Sequence, residues 1–222
     1  MIYINNIEKE IKNQKPLKVD NLVFEKGKIY SVLGHNGSGK STLLKILYNI
    51  EGFKKGSINI NNEGFSEDII HKYLSYNPQK SSFLLGSLSD NFEYVYKYSE
   101  NKKLLDRKKL NELLVEFELT SKLNTSIKKL SGGEQAKSQF IRTLIMNKDF
   151  YLLDEPMANM DFETIKKVEK KLLELKDEGK TVILVTHDFL QAKKLSDYIV
   201  FMENLSYIDT YTCEDFFTKY VF

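Results

Sequence analysis

The chain has 222 residues, 41% of them hydrophobic and 29% charged, enough for one substantial core and a subdomain but not for two full domains. Its 33 basic and 31 acidic residues leave a net charge of +2, which gives no global reason to expect nucleic-acid binding. A single cysteine, Cys213, excludes an internal disulfide framework and fits a reducing cytoplasm. Met1–Lys12 lacks the apolar stretch of a secretory signal, and no run approaches the ~18 apolar residues that span a bilayer, so any membrane part is expected on another chain.

The N-terminal third reads as strands and turns. Leu22–Phe24 leads into a turn at Glu25–Gly27, and Lys28–Leu33 is a strand running into Gly34. Ser41–Ile50 places Leu43, Leu44, Ile46 and Leu47 at helical spacing. Gly52–Gly56 turns into an expected edge strand, Ser57–Ile60. From about Leu88 to Met146 glycine is scarce apart from Gly132–Gly133, and Leu104–Leu119 has helical periodicity. Leu88–Lys129 therefore reads as a mainly helical insert between two halves of an α/β core. Phe150–Leu153 is a short buried strand. Phe162–Glu178 is an amphipathic helix with Ile165, Val168, Leu172 and Leu175 on one face, Lys166–Lys171 on a solvated face and Gly179 as its stop. Thr181–Thr186 is another buried strand. Strand–helix–strand alternation predicts a mainly parallel sheet.

Three constellations carry chemistry. Gly34, His35, Asn36, Gly37, Ser38, Gly39, Lys40 and Ser41 fit the phosphate-loop pattern G-x-x-x-x-G-K-[ST], with an apolar strand before and a helix after. Its glycines let backbone N–H groups wrap phosphate oxygens, Lys40 is placed to reach the β- and γ-phosphates, and the Ser41 hydroxyl to bind Mg²⁺. Tyr151–Glu155 is an apolar strand ending in two carboxylates: Asp154 is placed to hold Mg²⁺ and Glu155 to polarise an attacking water. Either motif alone reads as a surface turn; together they read as a nucleotide site. Leu130–Ser131–Gly132–Gly133–Glu134 is a second Gly-rich phosphate-gripping turn, far from the first, which points to a site assembled from two protein surfaces.

Together these residues resemble the nucleotide-binding domain of the ATP-binding cassette (ABC) family, in order and spacing, over nearly the whole chain. Gly34–Ser41 resembles its Walker A motif, Tyr151–Glu155 its Walker B and Leu130–Glu134 its signature. The resemblance implies an α/β phosphate-loop NTPase with an N-terminal antiparallel β subdomain: one domain, with residues 1–87 and 148–222 as the ATP-binding core and about 88–147 as the helical signature subdomain. It implies that ATP is held by Gly34–Ser41, Thr42 and Gln79. Mg²⁺ is held by Ser41, Gln79 and Asp154, and catalysis rests on Glu155, His187 and Lys40. Ser131, Gly132, Gly133 and Glu134 would serve a partner's ATP in trans, with Asp161 signalling across the dimer. Asp161 equally reads as an N-cap of the helix behind it. The sequence departs from the family at Glu134, where glutamine is usual, at Ala158–Asn159–Met160–Asp161, at Ile11, where an adenine-stacking aromatic is usual, and around Glu203–Asp209, where a Gly-rich hairpin is usual.

The function so implied is ATP-driven dimer closure coupled to separate integral membrane subunits, on the cytoplasmic face of a membrane, with a homodimer as the simpler partner arrangement. The segment Gln79–Phe92 resembles the exporter pattern, so export is the expected direction. Phe92, Tyr94, Tyr96 and Tyr98 read either as a groove for a partner helix or as strand-like or loop packing. A soluble, non-transport ABC ATPase, of the iron–sulfur assembly type, is the alternative.

Overall fold

The computed structural model describes residues 1–98 and 107–220. Its ten strands form one sheet with two characters. At one end lies an antiparallel subsheet. Strand β1 (Ile2–Lys9) pairs with β2 (Leu17–Val19) and β3 (Leu22–Phe24) on one edge, and with β5 (Lys55–Ile60) on the other. At the other end lie five parallel strands in the order β9 (Tyr198–Glu203), β4 (Ile29–Leu33), β8 (Thr181–Val185), β7 (Phe150–Asp154) and β6 (Leu74–Asn77). β10 (Ser206–Thr212) joins the halves, antiparallel to β9 and parallel to β2.

The parallel strands β4, β7 and β8 are buried on both faces, which is why they read as short, mostly apolar runs, broken only by Ser31 and by the terminal Asp154 and Thr181. Alternate residues serve opposite cores. Phe150 and Leu152 of β7 pack with α1 (Lys40–Leu47) and the antiparallel strands, whereas Tyr151 and Leu153 pack with the helical insert. α1 stops at Leu47, earlier than its apolar pattern predicts, and Asn49 takes a left-handed φ of 57°. A short helix α2 (Glu67–Tyr73), capped by Ser66, precedes β6.

The insert carries α3 (Leu88–Tyr98), α4 (Arg107–Glu116) and α5 (Gly132–Ile145), packed around Phe92, Leu113, Phe117 and Phe140. Of the expected helical stretch Leu104–Leu119, Leu104–Asp106 fall outside the described residues. The aromatic alternation Phe92–Tyr98 is helical, which corrects the strand-like or loop alternative. On α3, Phe92 is buried in the core while Tyr94 and Tyr98, one turn apart, meet on the surface with ring centroids 4.4 Å apart and planes tilted by 39°.

Helix α6 (Phe162–Asp177) is fixed at both ends. Asp161 Oδ1 accepts from the Thr164 N–H at 2.9 Å, and Gly179 takes φ 75° beyond the last turn. Its lysine face is less solvated than the sequence predicts, because Lys167 pairs with Glu118 at 2.7 Å and Lys171 with Glu116 at 3.0 Å. After β8 come α7 (Phe189–Leu195), the β9–β10 hairpin and α8 (Cys213–Tyr220). Glu203–Asp209, where no glycine marks a turn, is still a hairpin: Asn204 and Leu205 supply two positive φ values, 49° and 58°.

Candidate functional site

Four adjacent parallel strands, β4, β8, β7 and β6, end on one side of the sheet. In that order they deliver Gly34–Ser41, His187, Asp154–Glu155 and Gln79. Ligands of open α/β sheets bind outside strand carboxyl ends, and all four motifs converge there.

The phosphate loop is tightly cinched. Gly34 has φ 152°, and a Cβ on it would lie 2.0 Å from the Met202 carbonyl oxygen and 2.7 Å from Ser38 Oγ. Only glycine fits there. Lys40, 5% exposed, folds back over the loop, its Nζ donating to the carbonyls of Gly34 at 2.8 Å and His35 at 2.9 Å. Burial pulls its pKa down, opposed by the charges of Glu155 and Asp154. Ser38 is fully buried, and its hydroxyl has no hydrogen-bond partner, an orphan polar atom inside a loop built to receive phosphate oxygens.

Asp154, 1% exposed, accepts a hydrogen bond from Ser41 Oγ at 2.9 Å. Burial, seconded by the charge of Glu155, pushes its pKa above the usual carboxylate range, and the Asp154 charge in turn helps raise that of the half-buried Tyr76. A buried carboxylate and a hydroxyl converging in this way are a hard-oxygen donor pair suited to Mg²⁺. Glu155 takes a left-handed φ of 48° while its N–H donates to the Val185 carbonyl at 3.0 Å, so β8 holds the turn in a conformation that non-glycine residues seldom adopt. That turn aims Glu155 Oε1 at His187 Nε2, 2.6 Å away.

Asn36, Gly37, Gly39, Lys40, Ser41 and Thr42 line a cavity of about 600 Å³ together with Gln79, Glu155 and His187; Ile11, Gln14 and Leu205 complete it. Gly34 and the buried Ser38 do not line it. His35 is outside the cavity and takes the Asn204 N–H on its Nε2 at 3.3 Å.

None of Ser131, Gly132, Gly133, Glu134 or Asp161 lines that cavity. Ser131 is the N-cap of α5: its Oγ accepts from the Glu134 N–H at 3.2 Å, and Glu134 Oε2 accepts from the Ser131 N–H at 2.8 Å, a reciprocal capping box. Glu134 also pairs with Lys122 at 2.9 Å. Ser131's N–H and the Lys122 ammonium hold its pKa below the usual range. A Cβ on Gly133 would approach the Asn159 carbonyl oxygen at 3.1 Å, so Leu130–Glu134 and the Ala158–Asp161 turn lie side by side within one chain.

The family model described as ABC transporter matches residues 17–158. The chain belongs to the ABC transporter family. Similar curated proteins include a tungstate uptake system ATP-binding protein of Peptoclostridium acidaminophilum, 31% identical over 91% of this cassette and 94% of that chain. A phosphate import ATP-binding protein of Ligilactobacillus salivarius is 35% identical over 90% of the cassette and 80% of its own length. Among solved structures, a dimeric ATP-binding cassette in a post-hydrolysis state with ADP and Pi superposes with TM-score 0.82 at 26% identity, covering 96% of this cassette and 99% of that chain. An ATP-binding subunit of an ABC transporter superposes with TM-score 0.87 at 20% identity, covering 99% and 93%, which speaks for the fold. The cassette is an ABC-type ATPase.

Three residues of the site carried no signal in the sequence of the cassette. Gln14 sits in the short turn after β1, and Leu205 reaches the cavity only because the β9–β10 turn adopts positive φ. Tyr76 lies on β6 three residues before Gln79, where an alternating strand gives no sign that its hydroxyl neighbours Asp154.

Proposed function

We propose that this cassette is the ATP-hydrolysing subunit of a membrane transporter, working as a head-to-tail pair in which each ATP lies between the phosphate loop of one chain and the signature of the other. The observation that carries this reading is the composition of the cavity. Most of Walker A lines it with Gln79, Glu155 and His187, while the capped signature, exposed at Ser131 and Gly132 and half-buried at Gly133 and Glu134, has no share in it.

Within the site, Lys40 moves from the Gly34 and His35 carbonyls to the phosphates, exchanging two neutral acceptors for charged ones. Glu155 takes a proton from the attacking water and His187 steadies the Glu155 carboxylate and the γ-phosphate. The barrier falls through positioning and charge stabilisation. Ser41, Asp154 and Gln79 would hold Mg²⁺, which when bound neutralises phosphate charge. Residues 1–87 and 148–222 act as the ATP-binding core and residues 88–147 as the subdomain that presents the signature.

Among the described residues no helix is long and apolar enough to cross a membrane, so this reading assigns transport to separate membrane subunits and the cassette to their cytoplasmic face. A cleft of about 300 Å³ between core and insert, lined by Tyr48, Tyr76, Tyr94, Tyr98 and Arg142, offers an apolar seat with one cation for such a subunit, and Leu84 and Leu85 stand exposed on the neighbouring segment. Direction is read from the relatives: those named for one are uptake or import systems. They lend no support to the exporter-like reading of Gln79–Phe92, and uptake is the direction we favour. Glu155→Gln tests the chemistry. It should abolish hydrolysis while leaving an ATP-dependent dimer on size exclusion, and near-normal turnover would remove Glu155 from its role.

A further inference from the structure

Glu155 and His187 meet at 2.6 Å, yet neither side chain is locked in place by burial: they are 20% and 44% exposed. Their spacing is set instead by the two turns that carry them, Glu155–Ala158 after β7 and Thr186–Asp188 after β8. Two ties join these turns. One is backbone, from the Glu155 N–H to the Val185 carbonyl at 3.0 Å. The other passes through the side chain of Gln191 on α7. Its Nε2 donates to Met157 Sδ at 3.0 Å, and its Oε1 accepts from Thr186 Oγ1 at 2.9 Å. Thr186 Oγ1 in turn accepts the Asp188 N–H at 3.1 Å, and Asp188 Oδ1 accepts the Gln191 N–H at 3.0 Å, so His187 is bracketed by held neighbours. Gln191, Met157 and Thr186 are all buried, and Met157 is packed into the core of the helical insert.

The chemistry of the neighbours fixes the amide. A thioether has no hydrogen to give, so only the N–H₂ end can face Met157, and the Thr186 hydroxyl, already an acceptor for Asp188, has its own hydrogen free for Oε1. Gln191 does not line the nucleotide cavity, so it acts on the reaction only through others. A buried amide carries a desolvation cost that a leucine would not, so merely pinning α7 to the core would be done as well by an apolar side chain. What the amide adds is closure of a ring of ties through Val185, Glu155, Met157, Gln191 and Thr186, from which both Glu155 and His187 project. We propose that Gln191 is a positioning residue for hydrolysis, locking the turn that carries Glu155 to the turn that carries His187 so that the two keep their spacing while water attacks. This inference rests on Glu155 and His187 acting in hydrolysis as proposed above.

The test uses the whole chain with Mg²⁺-ATP: phosphate release for kcat and KM, displacement of a fluorescent ATP analogue for affinity, and thermal melting for the fold. Gln191→Met keeps the shape and removes both bonds. It should lower kcat at least about fivefold, toward the ~100-fold that a misplacement of about 1 Å can cost, with KM and affinity within about twofold of wild type. Thr186→Val should do the same, and Thr186→Ser, which keeps the hydroxyl, should hold kcat within about twofold of wild type. Residues of one network do not add, so Met157→Leu combined with Gln191→Met should lie within about threefold of the worse single variant. A smaller loss of kcat in both Gln191→Met and Thr186→Val overturns the inference. So does a loss that affinity and Tm share in proportion, which marks a purely structural glutamine, and so do losses that multiply in the double variant. If Gln191→Met fails to fold, the contrast between Thr186→Val and Thr186→Ser decides. Near-normal turnover in Glu155→Gln or His187→Ala removes the reading beneath the inference, whereas loss of turnover there with normal turnover in Gln191→Met removes the positioning role alone.

Discussion

Replacing Asp154 with Asn should stabilise the protein in the absence of nucleotide and blunt its stabilisation by nucleotide. Asp154 is 1% exposed, accepts one hydrogen bond from Ser41 at 2.9 Å and feels Lys40 and Lys45 only through space. Burial dominates and raises its pKa. For a carboxylate with a folded pKa above its unfolded one, the favourable contribution is complete below the unfolded pKa and disappears as pH rises through the folded one. Near pH 7.5 the ionised group is therefore a net cost. A fully uncompensated buried charge costs several kcal/mol; with the Ser41 bond and two lysines offsetting most of it, a residual of ~1 kcal/mol is reasonable. Asparagine keeps the acceptor for Ser41, and the Tyr76 hydroxyl is close enough to Asp154 to take the new N–H₂. The expected gain is ~1 kcal/mol, or about 2–4 °C in Tm for a chain of this size. With Mg²⁺-ATP at ~100 times its Kd the wild type should gain a further ~2.7 kcal/mol, of which the variant should keep less than about half. Differential scanning fluorimetry at pH 7.5, with and without Mg²⁺-ATP, reads both effects. Repeating it near pH 5 should shrink the difference between the proteins, because protonation of Asp154 begins to remove the same cost. A variant that melts ~3 °C or more below wild type without nucleotide would refute the argument.

Gly34→Ala puts a methyl 2.0 Å from the Met202 carbonyl at φ 152°, so it should cost at least ~3 kcal/mol and abolish nucleotide binding, read by thermal melting and analogue displacement. Ser131→Arg, made together with Glu155→Gln, should eliminate the ATP-dependent dimer on size exclusion while the monomer still binds ATP; unchanged dimerisation would sink the composite site. Leu85 is 82% exposed, so Leu85→Asp should leave Tm within about 1 °C and basal ATPase activity intact while weakening co-purification with the membrane subunit in detergent.

What the sequence disclosed and what it withheld follow from the range of the interactions involved. β4, β7 and β8 were legible because a doubly buried strand is mostly apolar, and the phosphate loop after β4 because it demands glycines at fixed offsets. α6 was legible from its apolar spacing, with Asp161 and Gly179 marking its ends. β1 was not singled out although it organises the antiparallel subsheet, since Asn5, Asn6 and Glu8 interrupt its apolar alternation and its partners lie as far along the chain as Ile60. The β9–β10 turn was missed because Asn204 and Leu205 do what glycine usually does. Phe92–Tyr98 was ambiguous because four aromatics at alternate positions fit period 2, while the helix they form buries only the first of them deeply. The 2.6 Å pair of Glu155 and His187 joins residues just beyond the ends of two strands, β7 and β8, whose adjacency no local pattern states.

Glu134 illustrates how a departure from a family pattern can be absorbed by local physics. A negative charge in the signature would oppose a partner's γ-phosphate if it pointed outward. Here one carboxylate oxygen takes the Ser131 N–H at 2.8 Å and the other lies 2.9 Å from the Lys122 ammonium, so the charge is spent on the helix cap and on its own counter-ion. The Glu134 N–H is likewise engaged, by Ser131 Oγ at 3.2 Å. What remains for an incoming anion is the pair of backbone N–H groups at Gly132 and Gly133, which have no intrahelical partner, and the positive end of α5. A Cβ fits freely at Gly132, whereas at Gly133 it would press the Asn159 carbonyl at 3.1 Å. The second glycine therefore allows the signature and the Ala158–Asp161 turn to lie against each other. In the head-to-tail pair proposed above, an anion held at the first turn of α5 would bear directly on the loop that ends at the cap of α6, and that contact would give occupancy at one ATP site a short physical route to the other.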